Sequence, residues 1–328
     1  MKAVQCVEWG APEKLVVAEV EVPEPKAGEV RVRVAAAGIN YPDALIVQKK
    51  YQVQPPLPFV PGTEVAGTVD KVGEGVRHLK QGDRVIAFVG VGAFAEYACA
   101  PAALVAPIPP GVADPVAAAF TLTYATSHHA LFDRAQLKSG ETLLVLGAGG
   151  GVGLAAVELG KVAGARVIAA ASSDAKLQAA REHGADVLID YGKQDLREAV
   201  KAATDSKGVD VVYDPVGGPY TEAALRSLAW RGRLLVIGFA HGDIPQLPAN
   251  LLLLKGTSAV GVFWGDFAKR EPKANGAMLM ELFGWLAAGK LRPHVSKTYS
   301  LAEVPLALRS LLDRSAVGKL VVVPRGLA

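Results

Sequence analysis

Residues Glu141 to Gly153, E-T-L-L-V-L-G-A-G-G-G-V-G, decide the fold. Thr142 to Leu146 is a short, wholly apolar run, the pattern of a strand buried on both faces. Glycines follow at once, and Val152 to Ala163 then reads as a helix. A strand, a glycine turn and a helix in that order present backbone N–H groups and a helix N-terminus to an anion. The helix dipole and the unpaired amides together suit a dinucleotide pyrophosphate. Strict G-x-G-x-x-G spacing would need glycines at positions 148, 150 and 153, but the first of these is Ala148. The match is therefore A-x-G-x-x-G, with Gly147, Gly149 and Gly151 as extra glycines. A bare triplet is weak, and it is the flanking strand and helix that favour a nucleotide loop over a merely structural turn.

Outward from the loop, the chain divides by texture. From Met1 to about Leu122, short β-rich runs (Lys2–Glu8, Leu15–Val22, Glu29–Ala37, Val65–Val72, Asp83–Phe88, Ala93–Ala100) alternate with Pro and Gly. They predict a compact, barrel-like β domain. Val116 to Leu131 looks helical, in two segments with Thr121 to Thr123 between them. After it, strands alternate with helices. The strands are expected at Thr142–Leu146, Arg166–Ala171, Val187–Asp190, Val209–Asp214, Arg233–Phe239 and Thr257–Phe263. Six strands with crossover helices read as a doubly wound parallel sheet, with ligand at the carboxyl ends of its strands. Pro272–Ala288 is a further helix, and the tail Val317–Val323 a strand expected to rejoin the first domain.

Composition narrows the function. The 328 residues favour two domains, and a hydrophobic content of 51% is ample to bury both cores. The net charge is only +3 and the basic residues are scattered, unlike the clustered face of a nucleic-acid binder. Cys6 and Cys99 alone make neither a disulfide framework nor a four-cysteine zinc site. With no apolar leader and no membrane-length apolar stretch, the expectation is a soluble cytoplasmic protein.

Several motifs precede the loop: Gly62-Thr63-Glu64-x-Ala66-Gly67, Val72-Gly73-x-Gly75-Val76, Gly82-Asp83-Arg84-Val85 and Gly92-x-Phe94-Ala95-Glu96-Tyr97. In series with Ala148–Gly153, they make the chain resemble the medium-chain dehydrogenase/reductase superfamily over essentially its whole length. Within it, the zinc-free quinone oxidoreductase (zeta-crystallin-like) branch fits. The resemblance implies a GroES-like catalytic domain at 1–122 and 265–328, with a Rossmann NADP-binding domain inserted at 123–264. In the zinc alcohol dehydrogenases a catalytic cysteine follows the strand where this chain has Gly38-Ile39-Asn40-Tyr41-Pro42-Asp43, and a histidine stands where it has Thr63. Asn40 and Thr63 are poor zinc ligands, so no metal is expected. Alcohol oxidation, which needs a Lewis acid, is disfavoured. Hydride addition to a quinone or an α,β-unsaturated carbonyl needs less help. His128 and His129 are adjacent on a helix and point apart, which counts against a metal site there.

An NAD site of this type carries an acid at the end of the second strand, whereas Arg166–Ala171 ends in Ser172-Ser173. Asp174 is the rival ribose ligand, although Ser173-Asp174 also reads as a helix cap. Lys176 lies in the same first turn, where a cation is unfavourable unless an anion such as a 2′-phosphate sits beside it. The resemblance carries a lysine onto Lys176 and a tyrosine onto Tyr191 in NADPH-binding members, so NADPH is expected. It also carries cofactor contacts onto Asn40, Thr126, Ile237 and Phe239, with Phe263 and Trp264 lining the cleft mouth. The loop's own contacts are Ala148, Gly150, Gly151, Val152 and Gly153. An enone would need a proton after hydride arrives. Tyr51 matches the tyrosine proposed as donor in related enoyl thioester reductases, and Tyr41, beside Asn40, competes. The expected function is NADPH-dependent quinone reduction, with enone or enoyl thioester reduction as the alternative. A non-catalytic, crystallin-like nucleotide binder is the remoter one. Gly256–Phe263, β-prone, uncharged and at the sheet edge, is expected to pair two copies into a homodimer.

Overall fold

The computed structural model describes residues 1–325 and divides into two compact units. Among these residues the first comprises 1–122 and 293–325, the second 123–292.

In the first unit, β1 (Lys2–Gln5) pairs β2 (Val16–Glu19), and β3 (Glu29–Ile39) is the long central strand. Its alternation E-V-R-V-R-V buries Val30, Val32 and Val34 on one face. The short helix α1 (Tyr41–Ile46) follows without a loop. Then come β4 (Glu64–Val72), β5 (Arg84–Phe88), β6 (Tyr97–Pro101), β7 (Val105–Pro107) and the helix α2 (Asp114–Ala118). α3 (Thr121–His128) carries the chain into the second unit, where it widens into a π-helical turn, His129–Arg134.

The second unit alternates strand and helix. Its elements are β8 (Thr142–Leu146), α4 (Gly151–Val162), β9 (Arg166–Ala171), α5 (Asp174–Glu182), β10 (Val187–Asp190), α6 (Leu196–Ala203), β11 (Val209–Asp214), α7 (Pro219–Arg226), β12 (Leu228–Val236), α8 (Ala249–Lys255) and β13 (Ser258–Gly261). All pairings are parallel, in the order β10-β9-β8-β11-β12-β13. This is the expected doubly wound sheet. Strand order reverses at β8, so the switch point lies at the loop 147–150. α9 (Trp264–Arg270) and α10 (Pro272–Ala287) complete the unit. The chain then returns to the first unit as β14 (Val295–Tyr299), α11 (Val304–Leu312) and β15 (Lys319–Val322), and β15 pairs antiparallel with β3, as expected of the tail.

Three expectations need correction. The second boundary falls at Arg292, not at residue 264. α10 buries Met278, Leu282 and Leu286, Asn275 accepts a hydrogen bond from the indole of Trp264 at 2.9 Å, and Trp285 and Glu281 meet His128. Segment 265–292 thus packs within the nucleotide unit. Trp264 is 5% exposed and structural, not a cleft-mouth residue. The fifth Rossmann strand also begins earlier than expected, at Leu228, and residues 237–239 lie beyond its end.

The buried carboxylate of Glu158 closes the exit of the second unit. It accepts the Tyr124 hydroxyl at 2.7 Å, meets the His183 ring at 2.7 Å and accepts the backbone N–H of Arg292 at 3.0 Å. Among the described residues no helix is long and apolar enough to cross a membrane.

Candidate active site

The loop after β8 has the geometry of an anion cradle. Ala148 N–H donates to Ala170 C=O at 3.1 Å and Gly150 N–H to Gly147 C=O at 3.0 Å, which fixes the turn. Gly147 has φ +58°, the left-handed region that favours glycine. α4 begins at Gly151 with Gly150 as N-cap and no side chain capping it, so its first-turn amides keep their donors for a ligand. A Cβ at Gly153 would fall 2.2 Å from Gly147 O, and this close helix–turn approach explains the third glycine of the motif. Gly149, an extra glycine in the sequence, has its own reason. A Cβ there would fall 2.4 Å from Lys176 Cβ, because the lysine stem crosses the loop. Backbone donors at a helix N-terminus, with no side chain in the way, fit a dinucleotide pyrophosphate.

Lys176 Nζ then reaches Ser172 Oγ at 3.5 Å, beside the exposed hydroxyl end of β9. Ser173 is the N-cap of α5. Tyr191 follows β10 directly, and its ring lies 4.4 Å from that of Tyr220. The rival ribose acid, Asp174, is 84% exposed and ion-paired to Lys193 at 2.8 Å. Lys193 also meets Asp190 at 3.1 Å, and this ammonium holds the Asp190 carboxyl below its usual range. Two serines and one lysine at the strand end, with the nearby acid already neutralised, fit a phosphate better than a bare ribose diol. Ile237 and Phe239 lie half-buried just past the carboxyl end of β12. Phe263, 49% exposed, follows β13, and Thr126 is half-buried on α3. Apart from Thr126, the expected cofactor contacts of this unit sit along the carboxyl edge of its sheet.

In the first unit the expected catalytic residues belong to a buried polar cluster. Asn40 is the N-cap of α1 and 3% exposed. Its backbone N–H donates to Asp43 Oδ2 at 2.7 Å, and its Nδ2 donates to Glu64 Oε1 at 2.9 Å. Glu64, fully buried, also accepts Leu122 N–H through Oε2 at 2.8 Å. Gly38 makes room for it, since a Cβ there would fall 2.6 Å from Glu64 Oε1. The ammonium of Lys319, on β15, reaches into the same cluster and pairs with Glu64 Oε1 at 2.9 Å. Asp43 is fully buried, and desolvation pushes its carboxyl up to about 7 against the lowering effect of the Asn40 N–H and Lys319. Tyr51 packs on the core of this unit just beyond α1. Burial, with the charge of Asp43 adding to it, pushes its phenol up, so it holds its proton at neutral pH. Tyr41, at the first position of α1, is raised by burial alone. Asn40, Tyr41 and Tyr51 are thus brought to one small helix and its exit.

Sequence reasoning missed Lys319, Asp43 and Lys193, and assigned Glu64 no role. Lys319 had a signal, a lone charge opening an otherwise apolar strand (K-L-V-V), which period-two reading takes as a surface position. Among the described residues no group of three or more His, Cys, Asp or Glu is placed to hold a metal ion.

Comparison with known proteins agrees with this geometry. Residues 26–110 match the model of the alcohol dehydrogenase GroES-like domain, and residues 151–279 that of the zinc-binding dehydrogenase. A cow protein named quinone oxidoreductase-like protein 2 is 39% identical, over 98% of this chain and 92% of its own length. The quinone oxidoreductase of Pseudomonas aeruginosa is 35% identical over 98% of this chain and 99% of its own. Among solved structures, the Escherichia coli quinone oxidoreductase complexed with NADPH superposes with a TM-score of 0.92. It is 31% identical and covers 99% of this chain and 100% of that one. A mycobacterial protein complexed with NADPH also gives 0.92, at 34% identity over 99% and 100% of the two chains.

The buried Asp43 carboxyl has a consequence for stability. Its folded pKa lies above the unfolded value near 4, so the native state binds the extra proton between about pH 4 and pH 7. Its contribution is full below pH 4 and is lost as pH rises through about 7. The stability of the wild type relative to Asp43→Asn should therefore fall by roughly 4 kcal/mol across that window and level off above it. Urea unfolding of both proteins at several pH values checks this, and parallel pH profiles would contradict it.

Proposed function

Because this chain belongs to the quinone oxidoreductase family of the medium-chain dehydrogenase/reductase superfamily, we propose that it reduces a quinone with NADPH, without a metal. The observation that carries the metal-free part is the Lys319 ammonium, seated against Glu64 and Asn40. A positive charge already fills the polar cluster, and the side chains of Asn40 and Thr63 are weak donors for zinc. Bound NADPH supplies the hydride. The chain's own residues orient and exclude water: the loop 147–153 and the N-terminus of α4 hold the pyrophosphate, and Ser172, Ser173, Lys176 and Tyr191 hold the 2′-phosphate. Thr126, Ile237, Phe239 and Phe263 flank the rest of the cofactor. Tyr51 holds a proton on its phenol and is the donor in this reading, with Tyr41 as the competitor. A quinone that takes a hydride and a proton leaves as the hydroquinone. An enone or enoyl thioester would use the same donor at its α-carbon. The free thiols Cys6 and Cys99 suit a reducing, cytoplasmic setting.

Parallel assays of NADPH consumption with a simple quinone and with an enone, after exhaustive chelation, test the reading. Turnover of the quinone should survive chelation. Consumption of neither acceptor would leave a nucleotide binder, and loss of activity together with one zinc per chain would overturn the metal-free reading.

Lys176→Ala should weaken NADPH binding by about 1–2 kcal/mol, the scale of a charge-assisted contact, and leave NADH binding nearly unchanged. Fluorescence titration of both cofactors measures it, and an equal loss for each would remove Lys176 from the phosphate site.

A homodimer through the edge of the nucleotide sheet completes the proposal. β13 is a terminal strand that pairs, among the described residues, with β12 alone, and its Gly261 carbonyl accepts the Arg134 side chain at 3.3 Å; its regular part is Ser258–Gly261, shorter than the 256–263 expected. An outward row of backbone donors and acceptors favours pairing with a symmetry mate. Light scattering should give about twice the chain mass of 34.2 kDa, and a single-chain mass would sink the dimer.

A further inference from the structure

Lys319 is 4% exposed, and its three ammonium protons are matched by three oxygens. Nζ donates to Asn40 Oδ1 at 2.5 Å, Glu64 Oε1 at 2.9 Å and the Ile39 carbonyl at 3.1 Å. The strand register delivers it there: Leu320 pairs with Ile39, so Lys319 lies opposite the point where β3 ends and Asn40 begins α1. Asn40 is caught between opposite charges. Its Oδ1 faces the ammonium, while its Nδ2 donates to Glu64 Oε1 at 2.9 Å. An amide turned over would set its NH2 against an ammonium and its oxygen against a carboxylate, so only one orientation is allowed. In that orientation Nδ2 commits one N–H to Glu64. Among the described residues its other hydrogen bond is a long one, 3.4 Å, to Thr63 Oγ1. A weakly engaged N–H on a rigid amide can be given to a carbonyl oxygen of a ligand.

We propose that Lys319 is a positioning residue: its ammonium is the built-in cation of an oxygen cage that fixes the Asn40 carboxamide, so that one Asn40 N–H is presented to a carbonyl acceptor of the substrate. The cage itself is read from this chain alone, and the consequence for turnover rests on the hydride-transfer reading above. Because Lys319 lies on β15, remote in sequence from β3 and β4, the cage also ties both chain ends into one centre.

Lys319→Ala removes four side-chain atoms, the size of propylammonium. In the cofactor-free variant, propylammonium should raise the melting temperature saturably, and propanol should not. The wild type should respond to neither. If wild type turns over NADPH with a quinone, Lys319→Ala should lose about tenfold or more in kcat/KM, the worth of a charge-assisted hydrogen bond, and regain it with propylammonium. Lys319→Ala in an Asn40→Ala background should cost no further activity. Should Lys319→Ala fail to fold, Lys319→Met with Glu64→Gln keeps volume and removes both charges together. That protein should fold and show the activity of Asn40→Ala. Three results would overturn the proposal: wild-type kcat/KM in a folded Lys319 variant, losses that multiply with Asn40→Ala, or melting indifferent to propylammonium. An inactive wild type would instead sink the reductase reading, and the melting experiment would still decide the cage.

Discussion

A buried ion pair between Lys319 and Glu64 underlies the architecture of the first unit. Taking both charges out of water is costly, and only close geometry with every proton and lone pair matched offsets it. Here the ammonium has three oxygen partners, and the carboxylate takes Asn40, Lys319 and the Leu122 amide. Breaking such a pair costs about 3–5 kcal/mol, because a lone charge stays buried. One partner comes from β4, early in the chain, and the other from the last strand, so the unit is completed only when the chain end returns. The long excursion through residues 123–292 is a compact unit with its own sheet.

That pair also defines what chemistry is open to the site. The cluster carries an internal cation, and its Asn40 amide is held between that ammonium and the Glu64 carboxylate. Nearby, desolvation keeps protons on Asp43 and Tyr51 near neutral pH. A rigid hydrogen-bond donor and a retained phenol proton suit an acceptor that is already electron-poor, where orientation and dryness supply most of the catalysis. In the second unit Lys193 neutralises Asp174, and Lys176 lies beside the Ser172 hydroxyl.

Much of the nucleotide unit was legible in the sequence, since each buried parallel strand is a short apolar run set off by glycine. β8, β9, β10 and β11 have the limits the pattern implies. β12 was misread at its start because Arg231, at φ +62°, and Gly232 look like a turn while the strand passes through them. α10 announced itself as an apolar helix, but helical periodicity says that a face is buried and not against which sheet. The boundary at Arg292 was therefore out of reach. The polar cluster was half legible: motif matches picked out Asn40 and Tyr51, while Lys319 and Asp43 acquire meaning only through pairings about 280 residues apart or through burial.

The central claim is hydride transfer from NADPH in a site whose cation is its own lysine. Single-turnover oxidation of NADPH and of its 4-deuterated form by a quinone, in protein stripped of metal, tests it most directly. The expected result is stoichiometric loss of nicotinamide absorbance with a primary deuterium isotope effect, unchanged when zinc is added. No oxidation until zinc is restored, or no isotope effect even when chemistry limits the rate, would contradict it.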